Sequence, residues 1–339
     1  ASLAVGTYEL TPDGGIADNY TFDYKPGVFI VLTKHTNIVV MRGYEGEYDG
    51  APHTPFIQNN IDDPVVIKYS TDNGATWVDT PPSCTNVSDS KTILFTASSS
   101  NYEEQKGSVT ITITQKTVTP TLKKSDNPTR PYDGGKSAEQ QATLELAGVV
   151  SGEDVGVTAA FITFADKNVG ENKSVTASGL KLTGNGTENY RLSTTTVKGG
   201  ASLGVGITPK VVGLDWKNHE GLTYTGRSHN VYAVVPASDL ALDDTCTVTV
   251  TGGGETNVNA PGTPYTATAV SLSNENYKHP TEATQTYTIA PKELTVKFKT
   301  QAITYGNKPD LELVVEGFEN GESPVTAAGY EAPTVSGTI

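Results

Sequence analysis

Cysteine is nearly missing from this sequence. Cys84 and Cys246 are the only two, and they fall two repeats apart, so a bridge between Cα atoms within about 7 Å would require the chain to fold back on itself. Units that close an apolar core need no such staples, so the scarcity says little about compartment. Long apolar runs are also missing, none approaching the roughly 18 residues of a membrane span. Ala1 to Leu10 lacks the charged and apolar order of a signal peptide, and an export signal or wall anchor is expected outside this stretch. Clustered Lys and Arg are missing too, and with a net charge of -14 this argues against nucleic acid or an anionic membrane face as partner. Methionine occurs once, and no long amphipathic helix can be drawn anywhere.

What the sequence does have is Thr, Val, Ile and Tyr, punctuated by 34 Gly and 19 Pro, a composition that favours sheet. It also repeats. An opening signature of Tyr, one residue or none, then Gly stands at Tyr48, Tyr132, Tyr224 and Tyr305. A closing Asn-Tyr stands at Tyr20, Tyr102, Tyr190 and Tyr277, each leading into a β-rich run that ends in Lys: VFIVLTK, VTITITQK, LGVGITPK and YTIAPK. Opening to closing Tyr spans 54, 58 and 53 residues in the three whole repeats. Modules of about 85 residues fall inside the usual domain range.

The predicted division is therefore residues 1–34, the closing half of a module; 35–116, 117–210 and 211–292, three whole modules; and 293–339, an opening half. Strands are predicted at 37–42, 65–70, 92–97 and 108–114 in the first module, at 160–164 and 173–182 in the second, and at 245–251 and 265–270 in the third. Asp72-Asn73-Gly74 and the DKNVG of residues 166–170 read as turns in which short polar side chains bond their own backbone. The first of these loops lacks the spaced oxygens of a calcium site.

The second module, with PYDGG, LAGVVSGEDV, FADKNVG, VTASGLKLTGNGTENY and ITPK, resembles the YDG type of bacterial immunoglobulin-like domain. LTVKFK, ITYGNKP and GFENGE resemble the opening of the related MBG (YGX-type) domain, and VGTYELTPDGGIADNYTFDYKPGVFIV its ending; the first and third modules look like looser relatives. The resemblance implies an all-β fold, a linear array of immunoglobulin-like β-sandwiches in a secreted or wall-attached bacterial protein, often an adhesin. It implies no enzymatic activity, and it carries over no catalytic, cofactor or metal residue. In such sandwiches a tyrosine corner packs its ring inward and bonds backbone through its hydroxyl, so all eight signature tyrosines are expected to be mostly buried in equivalent sites.

Other chemistry is thin. His53 and His229 each follow an opening Tyr by five residues and so sit in separate modules, with His35, His219 and His279 equally scattered, whereas a catalytic or metal site needs convergence. TGGGE at residues 251–255 has no following helix to cradle phosphate and reads as a turn. Trp77 and Trp216 are candidates for an exposed platform that grips a sugar; the plainer expectation is that each packs under a loop of its own module.

Two roles follow: an extracellular stalk or fibre that spaces something from the cell, or modules that bind a host or biofilm glycan or protein. The short links TQKTVTP, ITPKVVG and IAPKELT suggest an elongated array with modest interfaces. Half a sandwich exposes a core face and sheet edges. If Ile339 of one copy is followed by Ala1 of another, Tyr305 and the next Tyr20 stand 54 residues apart, which matches the intact modules. Neighbouring copies head to tail, covalent or strand-complemented, are therefore the expected partner.

Overall fold

The computed structural model describes residues 3–34 and 37–337; His35 and the Ile339–Ala1 junction lie outside them. The chain is all-β, and among the described residues its only helices are single 3-10 turns, as sandwich modules require. Among the described residues no helix is long and apolar enough to cross a membrane. The two cysteines are free. Two compact units make up the chain, the first from Ala1–Lys123, Leu144–Phe161 and Ala177–Lys198, the second from Lys124–Thr143, Ile162–Thr176 and Gly199–Ile339.

In the first unit a four-stranded sheet runs Tyr44–Glu47, Gln105–Thr114, Lys91–Ser98, Val66–Ser70. Its strand Lys91–Ser98 alternates strictly, with Ile93, Phe95 and Ala97 buried between exposed or half-buried neighbours, the period of a strand with one face on a core. The antiparallel pair Val39–Arg42 and Phe56–Asn59 contributes Val39, Met41 and Ile57 to the same core. Tyr69, Ile93 and Ile111 are among its fully buried side chains. An N-terminal hairpin pairs Gly6–Leu10 with Gly27–Val31; its apolar Val28, Phe29 and Ile30 remain exposed.

The second unit holds the three-stranded sheet Val248–Thr251, Tyr265–Leu272, Thr284–Tyr287, with a bulge between Thr249 and Val250. Val231, Ala267, Tyr287 and Ile289 form the core over which Trp216 packs. A hairpin-like pair, Thr295–Phe298 with Leu313–Glu316, follows.

The turn at Asp72-Asn73-Gly74 behaves as read from sequence. Asn73 and Gly74 hold φ of 57° and 88°, the left-handed region that Asn and Gly tolerate. The predicted strand over 173–182 is instead two, Val175–Ser178 and Lys181–Gly184. Gly179, at φ 66°, breaks it.

One backbone arrangement recurs in both units. The last strand of each whole module lies parallel to the strand just before the opening tyrosine: Gln105–Thr114 beside Tyr44–Glu47, Gly206–Thr208 beside Thr129–Pro131, and Ile289–Ala290 beside Leu222–Thr223. The N–H of each opening tyrosine then donates to the carbonyl that ends the pairing, Tyr48 to Thr114 at 2.8 Å, Tyr132 to Thr208 at 2.9 Å and Tyr224 to Ala290 at 2.9 Å. The ring that follows is thereby delivered to the same edge of each sheet.

Candidate functional site

At that edge the opening tyrosines meet the closing tyrosines. In the first unit Tyr48 and Tyr190 stand edge to face with centroids 5.4 Å apart at 79°; in the second Tyr132 and Tyr277 repeat this at 5.4 Å and 83°, the geometry aromatic quadrupoles prefer. All four rings are buried, none more than 5% exposed. A carboxylate closes each pair. Glu153 accepts from the Tyr48 hydroxyl at 2.5 Å and the Tyr190 hydroxyl at 2.7 Å; Asp244 accepts from Tyr132 at 2.7 Å and Tyr277 at 2.8 Å. Tyr190 and Tyr277 also accept from backbone, the N–H of Val150 at 3.0 Å and of Ala241 at 2.8 Å. These N–H groups lie three residues before the acids, on the same tight turns.

The electrostatics follow from the shared carboxylate acceptor. The Tyr48 phenol is pushed up to about 12, first by its hydrogen bond to Glu153 and then by burial; Tyr277 also reaches about 12, chiefly through burial. Hydrogen bonds from Tyr132 and Tyr277, with Lys167 at 3.1 Å beside it, hold Asp244 below the usual carboxylate range. Asp244 is ionised and each phenol neutral at physiological pH, and a hydrogen bond to an ionised acceptor is the stronger kind.

The signature glycine explains itself here. Gly50, Gly134 and Gly226 have φ of 77°, 82° and 66°, and a Cβ would stand 3.0 Å from Val150 Cγ1, 2.7 Å from Ala241 Cβ and 2.6 Å from Asn320 Cβ respectively. The Tyr-x-Gly signature is a docking surface for the turn that carries the acid.

A second clasp lies beside each tyrosine pair. Asn189, itself buried, accepts from the Val87 N–H at 2.9 Å and donates to Asn86 at 3.0 Å. Asn276 does the same with Val169 at 2.8 Å and Asn168 at 3.3 Å. Asn101 accepts from Val5 at 3.4 Å. The run-ending lysines pair with the closing tyrosines in the same parallel register, Lys34 with Tyr102, Lys116 with Tyr190 and Lys210 with Tyr277. The DKNVG turn does bond its own backbone, Asp166 to the Asn168 N–H at 2.8 Å, yet Asn168 and Val169 also form this receiving edge, a role that turn chemistry concealed.

The signature tyrosines do not all share one environment. Tyr224 is half-buried, donating to Glu322 at 2.6 Å, and Tyr102 is half-buried. Tyr20 and Tyr305, expected to be buried, are 80% and 104% exposed: among the described residues neither has an opposing ring or carboxylate to cover it. The opening hydroxyls also depart from the tyrosine-corner expectation, since they bond a carboxylate and not backbone. Glu153, Asp244 and Glu322 were missed in sequence; the signal was an acid 21, 20 and 17 residues after an opening tyrosine.

Residues 114–197 match the YDG domain. The match covers about a quarter of the chain and includes Glu153 and Tyr190, two of the three residues of the first joint. No curated protein matches the chain. Among solved structures it is similar to the Bacteroides ovatus mixed-linkage glucan utilization locus SGBP-B in complex with a mixed-linkage heptasaccharide, at 10% identity over 89% of this chain and 76% of that one, TM-score 0.13. It is also similar to the insect immune protein hemolin, at 9% identity over 84% and 94%, TM-score 0.17. At these scores neither likeness bears on function.

The remaining candidates stay apart. His53 stacks on Tyr44 at 3.6 Å and meets Asp49 at 3.0 Å, all within the first module. Trp77 is 38% exposed but donates its indole N–H to Gly74 of its own turn at 3.1 Å, and Trp216 packs on the core described above.

Proposed function

We propose that the chain is a non-enzymatic structural repeat of a bacterial surface protein, a stalk whose β-sandwich modules are stiffened by tyrosine–carboxylate–tyrosine joints. In this reading residues 293–339 and 1–34 are the two ends of an MBG-type domain flanking the YDG domain, and the array lies outside the cell. The recurrence of the joint carries it: Tyr48–Glu153–Tyr190 and Tyr132–Asp244–Tyr277 use residues of two successive repeats each, so every joint fixes one module's edge against the next. A spacer requires such joints, whereas a ligand site requires a free polar cleft with an aromatic platform, and both tryptophans are engaged with their own modules.

Stiff joints make a specific test possible, because Lys116 and Lys210 sit in the links and trypsin cleaves after lysine. Their bonds should resist trypsin in the native chain. Glu153→Gln should speed cleavage after Lys116 alone, and Asp244→Asn after Lys210 alone. Rapid cleavage at both in the unmodified chain would mean loose links and would overturn the stalk.

A further inference from the structure

Three closing Asn-Tyr pairs find a receiving edge, and a fourth edge of the same make is open. In the second unit a cleft of about 350 Å³ is lined by Tyr224, Asn257, Val258, Lys292 and Glu322. Each of these five residues has a counterpart in an occupied joint. Tyr224 stands where Tyr48 and Tyr132 stand, its N–H fixed in the same way on the preceding strand. Glu322 takes the place of Glu153 and Asp244, already accepting from Tyr224 at 2.6 Å, and among the described residues no second tyrosine hydroxyl donates to it. Asn257-Val258 repeats Asn86-Val87 and Asn168-Val169. Lys292 repeats Lys116 and Lys210, which pair with Tyr190 and Tyr277. Among the described residues no group accepts from the Val258 N–H, whereas the Val87 and Val169 N–H groups are taken by Asn189 and Asn276.

The chain carries one more Asn-Tyr, and it is unengaged. Tyr20 is 80% exposed, and among the described residues the run after it, Gly27–Val31, pairs only with Gly6–Leu10 and leaves Phe29 and Ile30 exposed. In the whole modules that run lies parallel to the strand before an opening tyrosine. Tyr305, fully exposed, has no such partner, and residues 301–304 before it form no strand.

We infer that the Tyr224–Glu322 cleft is an acceptor for Asn19–Tyr20 of a second copy of this chain, an assignment that presupposes the jointed stalk above. The incoming Asn19 carbonyl oxygen of the side chain takes the Val258 N–H, its amide meets Asn257, and the Tyr20 hydroxyl shares Glu322 with Tyr224. The strand enters parallel to Lys292 and brings Gly27–Val31 to the edge before Tyr305. Because donor and acceptor are different surfaces of one chain, the contact is heterologous and propagates head to tail unless a ring closes.

Sedimentation equilibrium of the full chain tests it. The chain should associate with rising concentration, and Tyr20→Phe, which alters an exposed residue and leaves the fold alone, should weaken association about tenfold, the weight of one charge-assisted hydrogen bond. Glu322→Gln should do the same, and the double variant should be no weaker than either single one, as two ends of one bond require. A chain that stays monomeric at millimolar concentration, or association indifferent to both changes, would overturn the acceptor. Failure of the stalk reads differently: there the bonds after Lys116 and Lys210 would be cut rapidly in the unmodified chain, or would ignore Glu153→Gln and Asp244→Asn.

Discussion

Tyr48 and Tyr190 lie 142 residues apart in sequence, yet their rings touch edge to face and their hydroxyls converge on the single carboxylate of Glu153. Neither residue completes its site within its own repeat. The joint is a bond between sequence repeats, made from the residues that mark them.

Tyr190→Phe keeps the ring and removes the hydroxyl, leaving the Val150 N–H and one Glu153 oxygen without a partner. Urea denaturation should show a loss of about 1–3 kcal/mol, the usual cost of buried groups left unsatisfied. Tyr48→Ala removes the ring as well and should cost about 3–5 kcal/mol. Equal losses for the two would mean that the ring contact contributes nothing.

Gly134→Ala and Gly152→Ala separate backbone strain from docking. Both glycines have positive φ, 82° and 91°, so each substitution carries the left-handed penalty of about 1–2 kcal/mol. A Cβ at Gly152 meets nothing within 4 Å, whereas at Gly134 it meets Ala241 Cβ at 2.7 Å. Thermal melts should therefore show Gly134→Ala clearly the worse, and matching losses would remove the docking role of the signature glycine.

The joints should weaken at both extremes of pH. Asp244 has a folded pKa below its unfolded one, owing first to the Tyr132 and Tyr277 hydrogen bonds; its contribution is present above the unfolded carboxylate value and is lost as pH falls through the folded value. Tyr48 and Tyr277 are raised to about 12; their contribution is complete below the ordinary phenol value near 10 and disappears as pH rises toward 12. Ultraviolet titration of tyrosinate should show a late-titrating class of phenols, which Glu153→Gln would partly return to the ordinary range.

Asn276→Ala should destabilise the second unit by about 1–3 kcal/mol, because it strands the Val169 N–H. Asn19→Ala, at an exposed position, should leave the melting temperature unchanged. Calorimetry of the two variants distinguishes a clasp in use from one waiting for a partner.

The tryptophans offer the contrast with a sugar-binding role. Trp216→Ala should cost about 3–5 kcal/mol through the core it covers, and Trp77→Ala much less. Calorimetric titration with host and biofilm oligosaccharides should give no heat that either variant abolishes; saturable binding lost with Trp77 would revive the adhesin alternative.

The sequence by itself determined the sheet class, the repeat and most strand positions, because alternation and turn chemistry are local. Ile93, Phe95 and Ala97 bury as their spacing requires, and Asn73-Gly74 turns because only such residues tolerate that backbone. It also named the tyrosines and asparagines that mark each repeat. Their role stayed hidden, since a recurring Tyr-x-Gly reads equally well as a tyrosine corner inside one sandwich. Only the tertiary structure decided that the opening tyrosine of one repeat and the closing tyrosine of the next share a carboxylate, that Asn168-Val169 receives Asn276, and that Tyr20 and Tyr305 lie open. Periodicity reports which face of a strand is covered. It does not report which repeat supplies the cover, for contacts between residues a hundred positions apart are set by how the sheet edges meet and leave no period in the chain.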